Sequence, residues 1–463
     1  MSQIKKFKFI ALTLVVVIAA CVVVLMRNRP SQLRYGVDKS AIKVDVIVSE
    51  HGMCDAHAWV EGDRVYIGCG HDESPEPHTS FSIDRWEIWS TKNLIDWEYH
   101  TSILPKDTYI GDKPDCFAGD ITSRDGKYYW YFSDRTRSTG VAVADKIDGE
   151  YRDMLGKPLI TPENGYNKHP YDPEIFEEDG VYTICYGVGT YYMATLGDDM
   201  CSLATDPQPI QIVDNDGKSV TASDKSTLFK RNDWYYLVYG HRYAMSRNLY
   251  GPYLFKGRFL NGGHTSFFEW KNQLYVLQEN HETSAFFRGI SLKPVFFNED
   301  DTIIIPDDDR FFPGPGRAWH FDQSTMFWSG VEGTEVERRD GAIGGEIDAL
   351  GATIESAAWL YTLGKECNEI TIRIKNNTPA TTLRVAIDSR NEGRGFWNTG
   401  KGKKNWSEEQ WAEIEIKSNS NRYRSYTIPL SNLEIKDRMM QVAIQPAADA
   451  DSGSWEIDKI VIE

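Results

Sequence analysis

Five polar residues of this chain stand at closely matched distances ahead of aromatic, strand-forming segments. Asp55, Asp224 and His264 lie 11 positions before Tyr66, Tyr235 and Tyr275; Asp172 lies 10 before Tyr182, and Asp120 lies 8 before Tyr128. Four carboxylates and one imidazole carried by repeated units meet wherever those units meet. Such a set suits acid–base chemistry, in which one carboxyl group is protonated, another is ionised, and a third separates their pKa values by like-charge repulsion. An Asp ahead of a strand is also a turn former. That explains any one of these residues more readily than all five in phase.

The elements that must position them are short strands. Tyr171-Asp172-Pro173-Glu174-Ile175-Phe176, then Glu177-Glu178-Asp179-Gly180, then Val181-Tyr182-Thr183-Ile184-Cys185-Tyr186 reads as a strand, a tight acidic turn and a second strand. That is a hairpin signature. Its second strand has relatives at 62–67, 126–131, 232–237 and 272–277. Five such units spaced about 40 to 60 residues apart predict a five-bladed β-propeller over residues 31–310, with the innermost strands lining one axis. A Pro/Gly/Asp-rich stretch at 306–316 marks a boundary. Strand-like runs at 369–374, 383–387 and 455–462 then predict a β-sandwich over 318–463, of jelly-roll or carbohydrate-binding type. The chain is therefore expected to be all-β. In the sandwich, Trp397 and Trp406 beside Gly/Lys/Asn-rich loops are the candidates for an exposed sugar platform.

Composition narrows the partners. Aromatic residues make up 13% of the 463, with 14 Trp and 24 Tyr, which suits both strands and stacking on the apolar faces of sugars. A net charge of -17 argues against nucleic acid, which needs a basic field. The seven cysteines show no metal-type spacing; Cys21 lies in an apolar N-terminal segment, and the other six are expected to be free thiols.

Lys5, Lys6 and Lys8 precede an apolar run from Phe9 to Met26, closed by Arg27 and Arg29. A basic start and one apolar run indicate export, with 1–30 as a signal anchor or a lipoprotein signal modified at Cys21. Either places the remainder at the cell envelope, exported and tethered, with membrane contact through this segment alone.

Several motifs in order carry a family resemblance. They are Asp55-Ala56-His57 with Gly70-His71-Asp72, the 86–97 segment ending Asn93-Leu94-Ile95-Asp96-Trp97, Phe117-Ala118-Gly119-Asp120, Asp172-Pro173-Glu174-Ile175-Phe176, Phe229-Lys230-Arg231-Asn232, Gly251-Pro252-Tyr253 and Gly263-His264-Thr265-Ser266. With them the chain resembles glycoside hydrolase family 43. The resemblance implies an inverting glycosidase that needs no cofactor, with Asp55 as general base, Asp172 orienting the acid and tuning its pKa, and Asp224 at the place of the general acid. It further implies substrate contacts from His57, Trp59, Phe117, Asp120 and Arg288. His264 would lie on the axis, holding water or a structural calcium ion through water.

Departures from the pattern shape the reading. Asp224 stands where members carry Glu, one methylene longer; Ala56 replaces a Pro; and Phe117-Ala118-Gly119 replaces Trp-Ala-Pro. Glu269 and His264 are the alternative acids. The leading expectation is an exported glycosidase that removes terminal or side-chain arabinofuranose or xylose from plant or algal polysaccharide or oligosaccharide. The alternatives are a related five-bladed glycosidase on galactose or anhydrogalactose-type algal sugars, a catalytically inactive carbohydrate-binding propeller, and a protein-interaction propeller. The last has no need of the carboxylates in phase.

Overall fold

The computed structural model of the chain describes residues 47–48, 51–73, 80–94, 96–223, 225–260, 263–305, 318–321, 325–358, 360, 362–391 and 404–463. The N-terminal segment 1–30, Asp224 and Trp397 lie outside the described residues. Among those described, no helix is long and apolar enough to cross a membrane.

Five antiparallel sheets follow one another along the chain. Blade one pairs Cys54–Glu61, Arg64–Asp72, Ile83–Thr91 and Glu98–Ile103 in order, and blade two pairs Cys116–Arg124, Lys127–Asp134, Ser138–Ala144 and Arg152–Asp153. Blade three is built from Glu174–Glu178, Val181–Tyr186, Tyr192–Thr195 and Gln208–Pro209. Blade four runs Ser226–Arg231, Trp234–Tyr239, Arg242–Ser246 and Tyr253–Arg258, with Ile212–Val213 added in parallel at its edge. Blade five comprises Thr265–Trp270, Gln273–Ser284 and Phe287–Pro294. Each first hairpin closes where the sequence places a turn residue in the left-handed region, as at Asp179 and Gly180 with φ of 53° and 78°.

A blade buries both faces against its neighbours, so its strands read as aromatic and β-branched runs. The apolar clusters are the seams between blades: Trp86 and Ile88 with Trp130 and Phe132 between one and two, Tyr131 and Val141 with Ile184 and Tyr186 between two and three, Phe176 and Met193 with Leu228 and Tyr253 between three and four. Tyr236 and Val238 with Val276 close four to five, and Ile67 and Trp89 with Leu277 and Ile290 close five to one. Trp130 fits because Gly68 and Gly119 face it; a Cβ on either would stand 2.4 Å from its ring. The chain ahead of blade one completes the circle, with the Ile47 and Met53 N–H groups donating to Ile290 and Arg288 carbonyls, each at 2.9 Å.

At the axis the innermost strands share a height. His57, Asp120, Glu174, Thr227 and Ser266 each stand four residues before the end of their strand. The layer is stitched around the circle. His57 Nε2 lies 2.7 Å from Asp120 Oδ1, the Asp120 carboxylate accepts the Ile175 N–H, and Glu174 Oε1 accepts the Leu228 N–H at 3.0 Å. The Thr227 hydroxyl donates to the Thr265 carbonyl, and Ser266 Oγ accepts the Ala58 N–H at 3.0 Å. Buried backbone groups of neighbouring blades thus find partners where no ladder can reach them.

The second domain is a sandwich of two sheets. One orders Glu337–Arg339, Ala342–Glu346, Ser454–Ile462, Glu369–Asn377 and Ser420–Pro429; the other orders Ser329–Glu332, Thr353–Glu355, Arg438–Gln445, Thr382–Arg390 and Ala412–Glu415. Ile370, Ile372 and Ile374 of one sheet face Val385, Val442 and Ile444 of the other around Trp319, Trp328 and Trp455. Trp406 is not an exposed platform. It is buried on Ala386 and Ala443, and its Nε1 donates to Glu355 Oε2 at 2.8 Å, so it seals the outer face of its sheet. Met440 and Ala358 of the sandwich pack on Ala285, Phe286 and Phe81 of the propeller, and the rings of Phe327 and Phe287 meet edge to face at 4.9 Å. Cys54, Cys69, Cys116, Cys185, Cys201 and Cys367 are free thiols.

Candidate active site

Two residues above the stitched layer, the same strands present Asp55, Asp172 and His264, each six residues before its strand's end. Both aspartates take left-handed backbone, with φ of 52° and 58°. Asp tolerates this region better than bulkier residues, and it aims the carboxylates away from the strand direction. The Asp172 N–H donates to Ser133 Oγ at 2.8 Å, and Ser133 in turn donates to the Ala118 carbonyl at 2.7 Å, so blade two fixes the start of blade three. The His264 imidazole lies between the two carboxylates: Nδ1 is 2.6 Å from Asp55 Oδ1, and Nε2 is 4.0 Å from Asp172 Oδ2.

Arg288 holds the blade-one side of the site. Its Nε and Nη2 donate to the two oxygens of Asp72 at 2.8 and 2.9 Å, while Nη1 lies 3.3 Å from Asp55 Oδ1 and 3.1 Å from Glu279 Oε1. The planar fork suits this geometry, which an ammonium could not reproduce. Phe81 covers the guanidinium at 4.4 Å, and Phe117 stands edge-on to Phe81 at 6.3 Å. Burial pushes the Glu279 carboxyl up, but Arg288, His281 and His264 outweigh it and hold the group well below the usual carboxylate range.

Beneath, the layer is charged and buried. Lys225 Nζ is 2.6 Å from Glu174 Oε2, and the lysine is 1% exposed. Burial raises Glu174, yet Lys225 and then His57 bring it down to about 2. Burial lowers His57, yet Asp120 and Glu174 raise it to about 9. Asp120 itself is pushed up, chiefly by burial.

The structure brings together Asp55, Asp172, His264 and Arg288, with Phe117 beside them through Phe81. It separates the others. Asp120, at 0% exposure, and His57 belong to the stitched layer, and Trp59 packs in the seam between blades one and two. Glu269 is exposed five residues further along the strand from His264, on the order of 15 Å away, so the structure does not bring it beside the other candidates. Asp72, Glu279, Glu174 and Lys225 were not assigned from sequence. The signal for Glu279 was the polar run Gln278-Glu279-Asn280-His281-Glu282 continuing an apolar strand. For Lys225 it was a lysine directly ahead of one.

Asp55, His264 and Glu279 bring one ligand atom each within 4.8 Å of the others. Calcium asks for six to eight oxygens. This group offers two carboxylates and a nitrogen, and both carboxylates already face the Arg288 guanidinium. The donors present do not fit a directly bound calcium ion.

The model of the glycosyl hydrolases family 43 matches residues 60–303. A xylosidase/arabinosidase of Bacteroides ovatus is 24% identical over 312 residues, covering 54% of this chain and 94% of that one. The solved β-xylosidase/α-arabinofuranosidase from a compost microbial metagenome, in complex with xylotriose and calcium-free, is 25% identical with a TM-score of 0.50, over 57% of this chain and 97% of that one. An arabinoxylan arabinofuranohydrolase of Bacillus subtilis, 17% identical with a TM-score of 0.50, shares the fold over 91% of this chain and 99% of its own.

Proposed function

Because the chain belongs to glycosyl hydrolase family 43, and is a glycosidase, we propose that it removes terminal or side-chain arabinofuranosyl or xylosyl groups from plant polysaccharide with inversion. The observation that carries this is the pair Asp55 and Asp172, in left-handed backbone on either side of one imidazole. Named relatives act as xylosidases and arabinosidases, which supports the sugar class.

Asp55 is the general base. It takes a proton from water as the water oxygen bonds to the anomeric carbon, opposite the leaving group. His264 and Arg288 orient that carboxylate. The bond from the anomeric carbon to the glycosidic oxygen breaks as that oxygen takes a proton from the general acid, assigned to Asp224 from its sequence position. Asp172, as a third carboxylate, raises the acid's affinity for its proton. Acid catalysis of this kind is worth about 10²–10⁴-fold. The apolar run from Phe9 to Met26 supports an exported, envelope-tethered enzyme.

The test is hydrolysis of aryl arabinofuranosides, xylosides and galactosides by the full-length chain in detergent, alongside Asp55→Asn and Asp172→Asn. Turnover on a pentoside that is lost in Asp55→Asn, with an inverted product by NMR, supports the assignment. A galactoside preference transfers it to the algal class. Sugar binding by calorimetry with no turnover on any substrate overturns it in favour of a binding propeller.

A further inference from the structure

Among the described residues, and apart from the site and the layer of His57, Asp120 and Glu174 beneath it, a further cluster of side chains brings together groups that bind metals. In blade one Cys69 pairs with Glu87 and His71 with Arg85, so His71, Arg85, Glu87 and Trp89 share one face of the sheet. His51, just ahead of the first strand, lies over that face. Its ring centroid is 4.7 Å from that of His71 and 5.1 Å from that of Trp89. His51 Nε2 is 2.6 Å from Glu87 Oε2, and His71 Nδ1 is 2.8 Å from Asp84 Oδ1. Arg85 joins the two acids, with Nε 2.7 Å from Glu87 Oε1 and Nη1 2.8 Å from Asp84 Oδ2. Ligand atoms of His51, His71 and Glu87 fall within 4.8 Å of one another.

We propose that His51, His71 and Glu87 form a site for a divalent transition ion of the zinc type, with Asp84 and Arg85 supporting it from behind. His71 carries the Asp84 carboxylate on Nδ1, and among the described residues its Nε2 has no hydrogen bond, which is the carboxylate–histidine arrangement that fixes a ring's tautomer and leaves a lone pair for a metal. His51 Nε2 and Glu87 Oε2, which face each other at 2.6 Å, would both turn to the ion, with Trp89 Nε1 donating to the same carboxylate oxygen at 2.8 Å. Two imidazoles and a carboxylate select borderline ions such as Zn²⁺ over calcium or magnesium, which take oxygen. Three protein ligands leave a position for water. Glu87 is almost wholly buried while His51 and His71 are partly open, so the ion would enter from the solvent side and meet the carboxylate last.

The place gives the ion a purpose. His51 lies between Ile47 and Met53, the residues that close blade one onto blade five. His71 directly precedes Asp72, which grips Arg288. An ion here ties the chain entering Asp55's strand to the hairpin that holds Arg288, and so braces the seam on which the site is built. Arg85 and the two acids carry a net charge of one negative unit, which favours a bound cation.

The test is metal content of the full-length chain, chelator-stripped, reloaded with Zn²⁺ or Co²⁺ and dialysed. The expected result is one equivalent retained, a visible Co²⁺ spectrum of a low-coordinate nitrogen–oxygen site, and a thermal midpoint raised by Zn²⁺ and restored by chelator. His71→Gln and the His51→Gln/His71→Gln pair lose the equivalent; Asp84→Asn weakens affinity by about 10–100-fold. His264→Gln, which alters the proposed active site, keeps it. Retention unchanged in the His51→Gln/His71→Gln chain, or no retention by the native chain while circular dichroism shows it folded, overturns the proposal. Neither outcome depends on turnover.

Discussion

Lys225→Met removes the cation from a layer that contains two carboxylates. In the native chain the Lys225 ammonium sits 2.6 Å from Glu174 Oε2 and 3.1 Å from the Ser226 carbonyl, with almost no exposure on either partner. Methionine fills similar volume but leaves Glu174 charged, dry and close to Asp120, with the Leu228 N–H and His57 still beside it. Removing one partner of a buried pair costs about 3–5 kcal/mol, since the stranded charge cannot be rehydrated. For a domain of this size that lowers the thermal midpoint by roughly 6–20 °C. The assay is thermal unfolding of the native chain, Lys225→Met, Glu174→Gln and the double variant. Glutamine keeps an oxygen for the Leu228 N–H and removes the orphaned charge, so the double variant should unfold above the sum of the singles by about 1–3 kcal/mol of coupling. A Lys225→Met midpoint within 2–3 °C of native, roughly 1 kcal/mol, or strict additivity in the cycle, would show that the layer is wet or that Lys225 has no electrostatic role there.

Other outcomes follow from the same geometry. His57 is raised from 6.5 to about 9, so its contribution is fully present below pH 6.5 and is lost as pH rises to about 9. The loss amounts to about 3 kcal/mol, read from denaturation midpoints between pH 6 and 9.5 and flattened in His57→Gln. Glu174, lowered to about 2 from 4.5, works in the opposite sense: its stabilisation is present above pH 4.5 and disappears as pH falls toward 2, a slope that Lys225→Met should shrink. Arg288→Lys keeps the charge but cannot grip both oxygens of Asp72 while facing Asp55; turnover should fall about 100-fold through misplacement of the proposed base, with the fold retained by circular dichroism. Trp406→Phe strips a donor from buried Glu355 and should cost about 1–3 kcal/mol in the sandwich, read by thermal unfolding, with sugar affinity by calorimetry unchanged.

The blade repeat was legible because it is local. Strand pairing needs only a run of β-branched and aromatic residues, a turn residue in the left-handed region and a second run, and all three lie within a dozen residues at Asp172–Tyr186. Asp55, Asp172 and His264 were legible for a related reason: strand rise is fixed, so equal counts from the end of a strand mean equal heights on the axis. The same rule accounts for Asp120. Its count of 8, against 10 and 11 elsewhere, reflects a place two residues deeper, about 7 Å below the site, where it meets His57 instead of solvent. Sequence spacing recorded the offset, but only the register of the hairpin shows which layer the residue joins.

What the tertiary structure decided is non-local. Arg288 meets Asp72 across 216 positions and Asp55 across 233, and no periodicity in the chain encodes those pairs. Whether Lys225 points to solvent or to Glu174, and whether Trp406 lies on a loop's surface or over Ala386 and Ala443, depends on what another blade or strand brings opposite. Local order in the chain dictates five hairpin units headed by four carboxylates and one imidazole, because propensity, turns and strand rise act over short range. Which of those carboxylates face the open end, and which cations and rings surround them, is decided only when the circle closes and distant side chains must share the little polar space at the axis.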